Sequence, residues 1–595
     1  MILSLNSSTK SKVGFRYMKK HTKNVSVFLI IVAAILSAVV LVCLITVDVP
    51  PKLKYNIVVP NTGNSMIVTL EISNTILSKA TYIPLLLADK NIKIMSSVDS
   101  SDRPKDVSFR DADVLVPIGR GSKTIVTYST EVGSLGKHGS RGFIAADYAL
   151  FEGEQAFLLP SQFYDYTSSQ NKPMNIGEIS FTFSLPIGWE QITRHNNVMN
   201  PHWIDIYSIS SDAFVFGKFT AIPDTVTGLK AFVLSSSARS IAAETVEGVN
   251  SLYSYYSGLF GSNPDDYRVI MLPKTSPTAF RIIGGAGAGS VAATFNPNEL
   301  RDWQLLAHRM FHAFFDTAAP NPAFHIEPNL WFYEGLATYY ENMSLNAMPT
   351  TLKQKVNINV DRQFALLFNR YLYLRIKDPT VYGFPPMEDV LFSSSEALTE
   401  FLHYTAAPLL VKLLEDNARA DNGLKDATLK FLLSNGEDFS DRLIAYDTAE
   451  KLLGEVSGRK FCTEYLLSVE APPLWYLESS QPSDKEVLED LNDFEYTMGT
   501  WFKQYDESYI VDTVTGEQLD QAMANININQ VSFVSAAIRN RLITYCPPLY
   551  ALLNDYYYRA KQKGIDFLDR DLRKKVLTRE IDLVTDEIGF SEQSF

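Results

Sequence analysis

The segment LLAHRMFHAFFD, residues 305–316, sets His308 and His312 four residues apart. On a helix of 3.6 residues per turn such a pair leaves one face, a single turn apart. Two imidazole nitrogens so placed reach one zinc ion at about 2.0–2.1 Å each. A third donor has to come from another element, and Glu334 in LWFYEGLATYYEN (330–342) is the natural candidate. Arg309 directly follows the first histidine. It stays protonated at physiological pH, takes no proton from water, and sets a positive charge beside any divalent ion. Two alternatives stay open: a helix with a chance histidine pair, and a metal-free site in which Arg309 pairs with Glu334.

Other polar groups near these segments carry weaker signals. His325 and Glu327 in AFHIEP are expected as a solvated loop pair, with a substitute ligand or base as the alternative. Glu341 reads as a helix-surface acid or as an outer partner of the site, and His403 as structural. The stretch RIIGGAGAGSVAATFN (281–296) holds Gly284, Gly285, Gly287 and Gly289. A dinucleotide fingerprint needs a helix after its glycines. VAATF instead reads as a strand, so a glycine hinge into an edge strand is expected.

These pieces together resemble the gluzincin metallopeptidases, in particular the aminopeptidase N and glycyl aminopeptidase families. His308 and His312 have the spacing of H-E-x-x-H. WFYEGLATYYE resembles the second zinc helix of that clan. LYSYYSGLFGSNPDDYRVIMLP resembles the helix–turn–strand that opens the catalytic domain, and LHYTAAPLLVKLLE the segment with an oxyanion-stabilising tyrosine. The four pieces keep family order across residues 240–416. The resemblance implies zinc held by His308, His312 and Glu334, and substrate backbone bound along Gly285, Gly287 and Gly289. It puts Tyr404 at the oxyanion position. In that chemistry zinc polarises the scissile carbonyl, and the motif Glu takes a proton from water. The tyrosine stabilises the tetrahedral oxyanion. Two departures bear on activity. Arg309 replaces the motif Glu, and Gly287, Ala288, Gly289 and Ser290 supply no acid where aminopeptidase N-like enzymes hold a free amine. The loop between His312 and Glu334 is also slightly longer than in the aminopeptidase N pattern.

The elements that must position these groups can be read from periodicity. From Lys52 to about residue 230, YNIVV, MIVTLEI, DVLVPI, KTIVTYST, ISFTFSL and AFVFGKF are β-branched or aromatic, often alternating, and separated by turn residues. A sheet-rich sandwich or open saddle with one solvated face is expected. SIAAETVEGVNSLYSYYSGLFG (240–261) then reads as a helix ending at Gly261, and YRVIMLP (267–273) as a buried strand. Asn296, Pro297 and Glu299 supply a start signal for the histidine-bearing helix. Beyond residue 345 the pattern is helical, and the charged segment DFLDRDLRKKVLTREIDLVTDEIGF reads as a solvated helix.

The 595 residues are too many for one core. VSVFLIIVAAILSAVVLVCLITV, Val25–Val47, carries no charge. At 1.5 Å per residue it spans the roughly 30 Å hydrocarbon layer. Lys10, Lys12, Arg16, Lys19, Lys20 and Lys23 precede it, which keeps the N-terminus cytoplasmic and the bulk of the chain outside the membrane. The net charge of −13, with no basic stripe, argues against nucleic acid as partner. Cys462 and Cys546 are the only cysteines outside the apolar run, so one bridge at most is in play.

The expected class is α+β: a basic tail (1–24), a transmembrane signal anchor (25–47), and a β-rich domain (50–230). A thermolysin-like, gluzincin catalytic-type domain (231–450) and a helical C-terminal domain (451–595) follow. The leading expectation is a pseudopeptidase that binds peptide or protein partners in its groove. An active zinc peptidase with another base, Glu327 or Glu341, and a scaffold without a ligand are the alternatives.

Overall fold

Alternation in the first strands decides the first sheet. In Lys52–Val58, Leu53, Tyr55 and Ile57 are buried, while Lys52, Lys54 and Val58 face water. The computed structural model describes Val32 and most of residues 48–509, with breaks at 88–91, 165–171, 275–281, 378–395, 436–438, 440–443, 463–481 and several shorter positions. Lys52–Val58 pairs in parallel with Glu178–Ser184 and antiparallel with Ser65–Ser73. Lys123–Glu131, Lys93–Asp99 and Val198–Met199 complete six strands. The expected solvated face is present.

A second sheet joins this unit to the next. Its strands Tyr148–Glu152 and Ala213–Gly217 are antiparallel neighbours. Every residue of Ala213–Gly217 is buried, because both of its faces are covered. Phe214 and Phe216 enter the core of the first unit. Ala213 and Val215 pack with Ile270, Leu272, Ile283 and Ala292 of a third sheet.

That third sheet has five strands. Leu229–Leu234, Tyr267–Pro273 and Val291–Phe295 are parallel neighbours, with antiparallel Phe219–Ala221 and Ile282–Gly284 at the edges. Helix Ala243–Phe260 connects the first two and stops at Gly261, whose φ of +68° suits glycine. One expectation is corrected here. Val291–Phe295 is an interior strand, buried at all five positions, and Ile282–Gly284 is the edge. The glycine loop folds back on itself, so the short segment before it takes the outer place.

One apolar cluster runs from the third sheet through the helices as far as Phe502, without a break at residue 450. It contains helices Leu300–Ala318, Leu330–Ser344 and Ala407–Asn422, together with Glu396–Thr405 and Asp484–Gln504. Leu300–Ala318 begins three residues later than its start signal suggests. Asn296 and Glu299 close a turn before it, with Glu299 N–H donating to the Asn296 carbonyl. A second difference is the helix Trp203–Ser211 inside the β-rich region. Its alternating isoleucines disguise it in the sequence, but the Asp205 carboxylate accepts from the His202 N–H and closes a capping box.

The apolar run Val25–Val47, apart from Val32, lies outside the described residues, as do Cys546 and the charged C-terminal segment. Among the described residues no helix is long and apolar enough to cross a membrane.

Candidate metal centre

The helix Leu300–Ala318 is buried nearly all round, yet Gln304, His308, His312 and Asp316 recur on it every four residues, all buried. Buried polar groups need partners. This stripe finds them on Leu330–Ser344, which runs antiparallel. Gln304 Nε2 donates to Asn342 Oδ1 at 2.9 Å, and His308 Nδ1 meets Glu341 Oε2 at 3.0 Å. His312 Nε2 lies 3.3 Å from Glu334 Oε2, and Tyr333 Oη donates to Asp316 Oδ2 at 2.9 Å.

The histidines and Glu334 close a triangle. His308 Nε2 and His312 Nε2 are 3.0 Å apart, and His308 Nε2 is 3.2 Å from Glu334 Oε2. The sites that could ligate an ion lie within 4.8 Å of one another. Donors about 2.0–2.1 Å from the centre of a tetrahedron stand about 3.3–3.4 Å from each other, so the triangle matches zinc with little adjustment. The proton arrangement also suits it. Glu341 only accepts, so His308 Nδ1 carries the hydrogen and its Nε2 presents a lone pair to the triangle. The residues present therefore fit a zinc ion.

Charge within the cluster is mutually balanced. Burial alone would raise the Glu334 carboxyl, but the two imidazoles outweigh it and hold Glu334 well below its ordinary value. Burial pushes His308 down, and Glu334 and Glu341 push it up further, so its net shift is upward. His312 is lowered, chiefly by burial. The ion pair between Arg309 and Glu334 does not form: the partners of Glu334 are the two histidines.

The other sequence candidates divide. Tyr404, on Glu396–Thr405, turns its ring to 5.9 Å from that of His308. Its hydroxyl is held protonated by burial and by the nearby Glu334 and Glu400. Arg309 is partly buried and packs beside the glycine loop, where a Cβ added to Gly285 would stand 2.7 Å from the Cβ of Arg309. The glycine N–H groups are committed inside the protein. Gly285 donates to the Ser290 carbonyl, Gly287 to Asp316 Oδ2 at 2.7 Å, and Gly289 to the Ala286 carbonyl. Ser290 N–H reaches Asp212 and Gly284 N–H reaches Glu152, so acids from other elements do border the loop.

His325 is not a solvated loop residue. It is 6% exposed, lies 3.2 Å from Asp316, and faces the Tyr207 ring at 4.2 Å. Its segment Pro322–His325 is a buried 3-10 turn capped by Asn321, which the proline-rich composition does not reveal. Glu327 lies outside the described residues. His403 is buried at 2% exposure. Sequence reasoning missed two residues. Asp316 ties the glycine loop to both metal-site helices, and its four-residue spacing from His312 was a readable signal. Tyr207 reaches the site from Trp203–Ser211, with no signal beyond its type.

No family model and no curated protein matches the chain. Among solved structures it is similar to an aminopeptidase N family protein from Idiomarina loihiensis. The two are 15% identical with a TM-score of 0.50, over 72% of this chain and 78% of that one. Looser likenesses are an M1 zinc metallopeptidase from Deinococcus radiodurans (14% identical, TM-score 0.41, 70% of this chain and 93% of that one) and yeast LTA4 hydrolase (11%, 0.47, 89% and 92%). At such identity the first likeness establishes the fold alone. The chain has a metallopeptidase-like α+β fold, and the resemblance read from its motifs holds at that level.

Proposed function

We propose that this protein is a pseudopeptidase: a peptidase-fold receptor that holds zinc at His308, His312 and Glu334 and retains a peptide or protein segment in its groove. The carrying observation is the combination of a closed donor triangle with Arg309 directly after His308. Bound zinc would polarise a carbonyl or acidify a water. The residues around it would orient that carbonyl, with Tyr404 as a hydroxyl donor beside His308. They would not take up the proton of the attacking water. Arg309 cannot, and the neighbouring described acids are committed. Glu334 faces the histidines, Glu341 holds His308 Nδ1 and reaches Arg301, and Asp316 accepts from Tyr333 and Gly287.

The test is a peptidase assay on the purified full-length chain, with free and blocked peptides, with and without a chelator. Turnover at less than a thousandth of ordinary peptidase rates of about 1–1000 per second supports the reading. Efficient, chelator-sensitive turnover sinks it and favours an active enzyme with another base. The apolar run Val25–Val47 supports a single-pass anchor with the site outside the cytoplasm. Extraction of the protein by alkaline carbonate would overturn that part.

A further inference from the structure

The folded unit begins almost where the apolar run ends. Asp48 directly follows Val47, and the strand Lys52–Val58 starts soon after it. Asp48 is itself fastened to the fold. Its Oδ1 accepts from the Lys79 N–H at 2.9 Å, and the Pro51 carbonyl accepts from the Gly177 N–H at 2.8 Å. Between the apolar run and the first sheet there is no length of chain that could act as a spacer.

The surface that Asp48 meets is built around buried Asn74. Asn74 Nδ2 donates to the Ala80 and Gly119 carbonyls, at 3.3 and 3.2 Å, and its N–H donates to the Ser122 carbonyl. The turns 74–82 and 117–122 are thereby held side by side. Ile76 lies over Gly121, where an added Cβ would stand 2.7 Å from the Ile76 Cγ2. Ile76 is still 66% exposed, and Tyr82 58%. A cleft lined by Pro51, Tyr82, Pro84, Pro160 and Ile176 opens beside Ala80. Lys52 and Lys123 are paired with Glu178 and Glu71, whereas Lys79 and Arg120 stand exposed on the two turns. Apolar groups exposed together in this way mark a contact surface.

A bilayer fits this end of the sheet. The polar layer on each side of the hydrocarbon is about 5–8 Å deep, and successive Cα atoms are about 3.8 Å apart. A residue directly after a membrane span therefore sits among the headgroups, and turns hydrogen-bonded to it lie at nearly the same depth. Tyrosine and isoleucine are favourable there, and Lys and Arg meet lipid phosphates.

We propose that the turns 74–82 and 117–122 form a lipid-contact surface, with Ile76 and Tyr82 set into the headgroup layer beside Lys79 and Arg120. The surface holds the first sheet against the bilayer in one orientation instead of leaving it to swing on a tether. This rests on the single-pass anchor reading above.

The experiment places a photo-crosslinking benzoylphenylalanine in the full-length chain, embedded in phosphatidylcholine–phosphatidylglycerol vesicles, at position 81 or at position 187. Thr81 is exposed between Ile76 and Tyr82. Ile187 is fully exposed and follows Ser184, which pairs with Val58 at the opposite end of the sheet from Lys52. Irradiation should give a phospholipid adduct, read by mass, at position 81 and not at 187. Burying one isoleucine corresponds to about a 10- to 100-fold shift in the docking equilibrium. Ile76→Asp should therefore cause a marked loss of the adduct at 81, with an unchanged melting temperature showing that the fold is intact. Equal adducts at 81 and 187, or none at either, in protein that resists carbonate extraction overturn the lipid surface and leave the anchor standing. An adduct at 81 that Ile76→Asp does not lower shows proximity imposed by the tether alone, and also overturns it. Release of the chain by carbonate overturns both readings.

Discussion

Replacing Glu341 tests whether the triangle is a metal centre whose outer partner matters. The Glu341 carboxylate accepts from His308 Nδ1 at 3.0 Å and reaches Arg301 Nη1 at 3.4 Å. It fixes the tautomer that turns the His308 Nε2 lone pair toward His312 and Glu334. Removing such a partner lowers metal affinity about 10- to 100-fold, or about 1.4–2.7 kcal/mol. Glu341→Gln keeps an acceptor oxygen and loses only the charge, so about tenfold is expected. Glu341→Ala loses acceptor and charge, and lets His308 adopt either tautomer, so the upper end is expected. The assay is an equilibrium zinc competition against a chromophoric chelator on the full-length chain, with thermal melts to confirm folding. His308→Ala serves as the limit, with stoichiometric zinc lost. Equal affinity in wild type and both Glu341 variants would refute the reasoning, since it would mean that His308 does not ligate through Nε2.

Further outcomes follow from the same geometry. Arg309→Glu removes a positive charge beside the ion, so zinc affinity should rise on the order of tenfold; unchanged or weaker binding by the same competition would contradict this. Asp316→Ala strips the acceptor from the buried Tyr333 hydroxyl and Gly287 N–H, at about 1–3 kcal/mol for each stranded donor. Chemical denaturation should therefore show a loss of about 2–6 kcal/mol, and a loss under 1 kcal/mol would show that the loop is not tied through this residue. In the metal-free protein Glu334, held well below its ordinary value of 4.5, stabilises the fold above that pH. Its contribution is lost as pH falls through its folded value. The melting difference between wild type and Glu334→Gln should be largest above pH 5 and shrink toward pH 2, and a pH-independent difference would count against the charge balance described.

Much of the architecture is legible in the chain because it follows from local periodicity. Leu53, Tyr55 and Ile57 alternate with exposed neighbours, and that alternation is enough to place a strand with one wet face. The apolar spacing and Gly261 suffice to end the helix before Tyr267. The elements misread are those whose local signal is ambiguous. Trp203–Ser211 hides behind β-branched residues, and the order of Ile282–Gly284 and Val291–Phe295 depends on which strand the sheet already offers as a neighbour.

The site divides in the same way. The sequence by itself determined the donor types, the one-turn separation of His308 and His312, and the intrusion of Arg309, since helix geometry makes i and i+4 neighbours wherever the helix lies. Only the tertiary structure decided that Glu341 faces His308 rather than solvent, that His325 is buried against Asp316, and that the loop glycines spend their N–H groups internally. It also brought Tyr207 to His325 and Tyr404 to His308, from helices almost two hundred positions apart in the chain. Such contacts are set by how helices and sheets bury their apolar faces against one another, and that packing is not encoded in any local spacing.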